Sequence, residues 1–187
     1  MIAVESLIEN GSSGSATYGL HLRPPGITHI CNPTVAHMTD PNRIEKQITL
    51  RAPRTRVWRA ISDAREFGQW FGVNLDGNFE PGKTITGRMV NPAYQHVPFT
   101  LNVERIEPEH FFSYRWRPYA IDPAVDYSAE PLTLVEFHLE EVDGGTRLTV
   151  VESGFEGIPA HRRAEAFRMN DKGWTAQVEN IRRYVEA

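Results

Sequence analysis

From Arg43 to Glu152 apolar and polar positions alternate along most of the chain. Ile44, Lys46, Ile48 and Leu50 alternate with Glu45, Gln47 and Thr49, a period of two that predicts a first strand. The same alternation recurs over Thr84–Val90, Val97–Ile106, His110–Arg117, Leu132–Val142 and Arg147–Glu152. In the third of these, Phe112, Tyr114 and Trp116 fall on one side and Ser113, Arg115 and Arg117 on the other. Asp143-Gly-Gly-Thr reads as a hairpin turn, because glycine supplies positive φ at no steric cost. Between the first strand and the rest, Ala52-Pro53 stops the alternation, and Pro53 suits a helix start. A helix is predicted over Arg54–Ser62, and Asp63 caps a second short one running through Phe67 and Trp70.

From Ala160 to Glu186 the period changes. Phe167, Asp171, Trp174, Val178, Ile181 and Val185 recur at steps of three and four, which puts them on one face of a long helix. Arg168, Lys172, Glu179, Arg182 and Arg183 occupy the other face. Such a helix is stable only when its apolar stripe is covered, and the strands upstream are the cover. Strand, two short helices, about five antiparallel strands and a terminal helix make an α+β fold with the helix laid on one face of a curved sheet.

Composition narrows the function. With 187 residues, a net charge of -4 and a pI near 6.0, the chain lacks the basic footprint of a nucleic-acid or anionic-membrane partner. No run approaches the ~18 apolar residues of a membrane span, so the default compartment is the cytoplasm. A single cysteine, Cys31, excludes an internal disulfide and a cysteine-held iron–sulfur cluster. The histidines His21, His29, His37, His96, His110, His138 and His161 form no His-x-x-x-His pair, and no metal or cofactor is expected. No Gly-x-Ser-x-Gly elbow or Gly-x-Gly-x-x-Gly turn occurs, and nothing near Cys31 would activate it as a nucleophile.

Several separated stretches resemble one family in order: Ala52-Pro-x-x-x-Val57-Trp58-x-Ala60-Ile61-Ser-Asp63, then Phe67-Gly-Gln-Trp70-Phe71, Leu134-Val-Glu-Phe137, Gly145-Thr-Arg-Leu148-Thr-Val150-x-Glu152-Ser-Gly154-Phe155, and Gly173-Trp174. Over about Arg43 to Ala187 the chain is similar to the START-like (SRPBCC) superfamily, and within it to homologues of the activator of heat-shock protein 90 ATPase, C-terminal domain type. The resemblance implies a helix-grip fold, in which the sheet wraps the last helix around an apolar cavity. The superfamily hosts carriers, cyclases, receptors and chaperone cofactors, so fold alone does not choose among them. Some bacterial chains of this kind are described as the oxidoreductase component of vanillate O-demethylase. That chemistry needs flavin and a cluster held by about four cysteines, and this sequence has one.

The candidate ligand-binding residues are Trp70, Phe71, Phe99, Tyr114, Trp116, Phe137, Glu152 and Trp174, with Trp70 and Trp174 resting on the family motif. The bland alternative is that these rings fill the core. Glu152 shares the parity of Leu148 and Val150 and so points inward; with Tyr114 it is the candidate acid–base pair of an enzyme. Its alternative is a structural carboxylate held by an arginine or a backbone N–H. Asp171, on the apolar face of the last helix, carries the same ambiguity. Arg162-Arg163 and Arg182-Arg183 read as solvated helix faces, with docking of a protein partner as the alternative. The preferred function is non-enzymatic binding of a small hydrophobic or aromatic molecule. The alternatives are a protein-interaction module of the chaperone-cofactor type and a cyclase- or hydratase-like enzyme. A homodimer through an exposed strand edge is compatible with the sequence.

Residues 1–42 differ from the rest. Asn10-Gly-Ser-Ser-Gly-Ser15 and Arg23-Pro-Pro-Gly26 lie in a stretch without helical or strand period, read as a disordered or loosely attached extension to a domain spanning 43–187. Met1-Ile-Ala-Val-Glu lacks the basic start and apolar core of a signal peptide. Met38 is the expected native start. Intact mass measurement of the native protein should give a chain beginning at Met38; one beginning at Met1 refutes this.

Overall fold

The computed structural model describes Asp40 and residues 42–187; the extension and Cys31 lie outside them. The elements run β1 (Arg43–Leu50), α1 (Arg54–Ser62), α2 (Ala64–Phe71), β2 (Val73–Asp76), β3 (Thr84–Met89), β4 (Pro98–Glu107), β5 (Phe111–Trp116), β6 (Thr133–Val142), β7 (Gly145–Ser153) and α3 (Ala160–Val185). The strands form one curved, antiparallel, seven-stranded sheet in the order β1-β7-β6-β5-β4-β3-β2. The two helices after β1 carry the chain from one edge of the sheet to the other. A register shift between Val103 and Arg105 breaks the β4–β5 ladder, and such a bulge bends a strand. This is the expected α+β helix-grip architecture.

Local signals explain most boundaries. The Asp63 carboxylate accepts the Glu66 amide at 2.9 Å and caps α2 as expected. Gly72 ends that helix in the left-handed conformation, with φ 80°. Gly144, at φ 81°, turns β6 into β7.

The sequence reading omitted β2. Its four residues, Val73-Asn-Leu-Asp, are too few to establish a period, and they follow directly on the Gly72 cap. Gly68 explains how the strand leaves the helix: a Cβ there would lie 2.3 Å from the Val73 carbonyl oxygen, so only glycine lets the two backbones approach.

The long helix departs furthest from the pattern predicted for it. Its buried residues are Ala166, Asn170, Gly173, Trp174, Gln177, Ile181 and Val185. Asp171 is not on this stripe. Its side chain is 43% exposed and pairs with Lys46 of β1 at 2.7 Å. Phe167 and Val178 are half-buried beside the core. The observed stripe is turned so that two amides face inward, Asn170 toward the sheet and Gln177 toward α2, which a search for apolar spacing overlooks. The Gln177 amide donates to the Phe71 carbonyl at 3.3 Å and ties α3 to the end of α2.

Two glycines in the helices test this packing in opposite directions. Gly68→Ala forces a methyl group onto a backbone oxygen and should destabilise by roughly 1–3 kcal/mol. A Cβ at Gly173 meets nothing within 4 Å, so Gly173→Ala should stabilise by up to ~1 kcal/mol through helix propensity. Thermal melts of both variants check this, and a lower midpoint for Gly173→Ala would overturn the open-space argument.

Candidate functional site

The aromatic residues singled out in the sequence are brought together. Phe71 stacks on Phe67 with centroids 4.9 Å apart and meets Phe99 at 5.4 Å, Trp116 at 6.1 Å and Trp174 at 6.4 Å. Trp174 in turn meets Phe137 at 5.8 Å and Trp116 at 6.0 Å, while Tyr114 meets Trp116 at 6.1 Å. Edge and offset contacts at these spacings are the favourable geometries for aromatic pairs. Trp70 donates its indole N–H to the Ala60 carbonyl at 2.8 Å, locking α2 to α1. Trp70, Phe71, Tyr114, Phe137, Glu152 and Trp174 therefore sit inside an interlocked core.

The open space lies to one side of them. A cleft of about 440 Å³ runs between β3–β4 and the connection from β5 to β6, residues 117–132. Phe99 and Trp116 are the two sequence candidates that line it. Met89, Val97, Ile121, Val125 and Leu132 supply further apolar wall, and His96, Asn102, Arg117, Asp122 and Asp126 supply polar groups. Val125 is one of two large apolar residues left exposed among the described residues.

Glu152 lies behind this wall and is completely buried. One carboxylate oxygen accepts the Trp116 indole N–H at 2.8 Å, the Thr133 hydroxyl at 2.6 Å and the Asn170 amide at 3.0 Å. The other accepts the Trp174 indole N–H at 2.7 Å and the Asn170 amide at 3.0 Å. The sequence alternative of an arginine or backbone partner is corrected here: every donor is a neutral side chain. Burial pushes the carboxyl above its ordinary pKa, and hydrogen bonds from Thr133, Trp116, Trp174 and Asn170 offset part of that rise. Thr133 and Asn170 escaped the sequence reading because a threonine opening a strand and an asparagine inside a helix carry no signal until the fold points them at Glu152.

Tyr114 is also fully buried, and its hydroxyl has no hydrogen-bond partner among the described residues. Burial first, then the Glu152 charge, pushes that phenol well above its ordinary range, so it is a poor proton donor. Neither Glu152 nor Tyr114 borders the cleft; Trp116 touches both the cleft and the carboxylate.

The connection 117–132 is held on its far side by Arg162, in the first turn of α3. The Arg162 guanidinium makes a two-pronged ion pair with Glu130 at 2.6–2.9 Å and donates to the Pro118 carbonyl at 3.0 Å and the Tyr119 carbonyl at 3.4 Å. It also lies 4.8 Å from the centroid of the Tyr127 ring. Both side chains of the Arg162–Glu130 pair are only 12% exposed, so Arg162 is not the solvated residue expected from its place in a basic pair. Tyr119 is held at φ 47°, a left-handed conformation uncommon outside glycine. Arg117 donates to the Tyr127 and Ser128 carbonyls at 2.9 and 3.0 Å, folding the segment on itself.

Among the described residues no group of three His, Cys, Asp or Glu side chains could hold a metal ion. Among the same residues no helix is long and apolar enough to cross a membrane.

Comparison with known proteins places these features in a family. No curated protein matches the sequence. Among solved structures, DynU16, from the dynemicin biosynthetic locus, shares 25% identity and a TM-score of 0.60 over 78% of this chain and 48% of its own. This chain thus spans about half of DynU16. A protein from Mesorhizobium loti has 20% identity and a TM-score of 0.60, covering 77% of this chain and 96% of its own. The Aha1 dimer of Colwellia psychrerythraea, solved in solution, has 15% identity and a TM-score of 0.59, covering 77% and 96%. The model of one family, described as Activator of Hsp90 ATPase homolog 1-like protein, matches residues 51–186, and the chain belongs to that family.

Proposed function

We propose that the protein binds a small hydrophobic or aromatic molecule in the cleft between β3–β4 and residues 117–132, without transforming it. The observation that carries this is the cleft itself: about 440 Å³, walled by Phe99, Trp116, Met89, Val97 and Ile121, with polar groups around it. Ligand sites generally combine such a mostly apolar wall with a few polar groups, in volumes of roughly 300–1,000 Å³. Trp116 contributes ring atoms to the wall, while its N–H is already committed to Glu152.

Binding fits better than catalysis because the candidate acid–base pair is out of reach. Both oxygens of Glu152 already accept hydrogen bonds, and the Tyr114 hydroxyl is sealed in the core. A general base must come within hydrogen-bond reach of the proton that it takes, and here the Trp116 ring intervenes.

The test uses N-phenyl-1-naphthylamine, a neutral aromatic dye that brightens in apolar surroundings. It should bind saturably and, at 100 times its Kd, stabilise the fold by roughly 2.7 kcal/mol. Ile121→Asp and Val125→Asp each place a charge in the apolar wall and should weaken the dye about tenfold, with unchanged far-ultraviolet circular dichroism. Equal affinity in both variants, or no binding by the wild type, would sink this reading.

A further inference from the structure

Residues 117–132 form the outer wall of the cleft, and the two residues that flank them, Trp116 and Thr133, both donate to the same oxygen of Glu152, at 2.8 and 2.6 Å. We propose that Glu152 is a positioning residue for ligand binding: by gripping both ends of the 117–132 segment it holds the cleft's outer wall against β3–β4. The inference rests on the cleft being the ligand site. The grip is a staple at the root of a loop. Trp116 and Thr133 already face each other across the β5–β6 ladder; the carboxylate ties both side chains to one point, which Asn170 and Trp174 anchor to α3. Arg162 holds the segment from its other side through Glu130 and the Pro118 carbonyl.

The staple carries a proton linkage. Any opening that lets water reach Glu152 removes the burial that raises its pKa, so the closed wall binds the proton more tightly than an open one. Closure is therefore favoured as pH falls through the closed-state value and weakened as pH rises through it. The titratable group on the elements packed against Glu152 that faces it is Tyr114. Lys46 of β1 and Asp171 of α3 pair with each other at 2.7 Å, and Glu45, Glu136 and His138 have the parity of the sheet's other face.

The experiment compares wild type with Glu152→Gln and Thr133→Val. A protonated carboxyl carries one O–H, which the Thr133 hydroxyl can turn to accept, whereas an amide NH2 accepts nothing; Glu152→Gln, unlike protonation, therefore sets a donor against either Trp174 or Trp116. Thr133→Val removes one grip and keeps the shape. Two readouts are taken: dye affinity across pH 5 to 9, and limited proteolysis within 117–132. Glu152→Gln should weaken the dye about tenfold, speed cleavage of the segment, and abolish the loss of affinity that wild type shows with rising pH. Thr133→Val should weaken the dye and speed cleavage to a smaller extent. His96, Asp122 and Asp126 also line the cleft but are common to all three proteins, so a difference between the pH curves belongs to Glu152. Native affinity, native pH curve and native proteolysis in folded Glu152→Gln would overturn the proposal and leave the binding site standing. If Glu152→Gln does not fold, Thr133→Val decides by affinity and proteolysis. If wild type binds no dye yet the variants are cleaved faster, the staple survives and the ligand reading fails.

Discussion

The structure depends on one buried carboxylate with no cation to balance it. Moving an unpaired carboxylate into a protein interior carries an effective cost of several kcal/mol even after relaxation. Hydrogen bonds to a charged group return roughly 1.5–3 kcal/mol each. Trp116, Thr133, Asn170 and Trp174 all donate to Glu152. Their sum is of the same order as the penalty, so the group is tolerated rather than strongly stabilising. This is why residues from β5, β6 and α3 are fixed relative to β7 more tightly than apolar contact alone would fix them.

That constraint separates the packed part of the interior from the open part. Trp174 is locked at both ends, by its N–H on Glu152 and its ring against Phe71, Trp116 and Phe137. A ring so held fills the part of the space between sheet and helix that lies around Phe71, Trp116 and Phe137. The α3 helix packs against β1, α1 and α2. Across β3 and β4 the cover is instead the irregular segment 117–132, and loops do not interdigitate with a sheet as a helix does. The cleft opens where the cover changes from helix to loop.

Much of the fold was legible in the sequence because its signals are periodic and repeated. Alternation located six of the seven strands, Asp63 announced its cap, and the motif around Gly145–Phe155 pointed to the family. β2 was lost because four residues hold no period. Of the site, the inward aim of Glu152 followed from strand parity, and Phe99 and Trp116 were named among the residues that now line the cleft. Its neighbours were not readable. Asn170 and Gln177 lie on a stripe that is partly polar, so a search for apolar spacing chose Phe167 and Asp171 beside them. Arg162 looked solvated because its partner Glu130 is 32 residues away in sequence. Pairings that exist only after folding leave no local trace.

The position of Trp116 shows why a cleft can lie next to the core without weakening it. Its N–H and part of its ring belong to the buried network, and the remaining face is one wall of the cleft. A side chain with a single donor spent inward presents outward only an apolar surface. On the proposed reading Trp116 therefore meets a guest through ring atoms alone, with its N–H held by Glu152. The polar groups that line the same cleft include His96, Asn102 and Arg117. Of these, Arg117 is already engaged with the Tyr127 and Ser128 carbonyls. If the cleft binds as proposed, its mainly apolar wall selects a guest by the shape of its apolar body, with polar groups at its edge as a secondary filter.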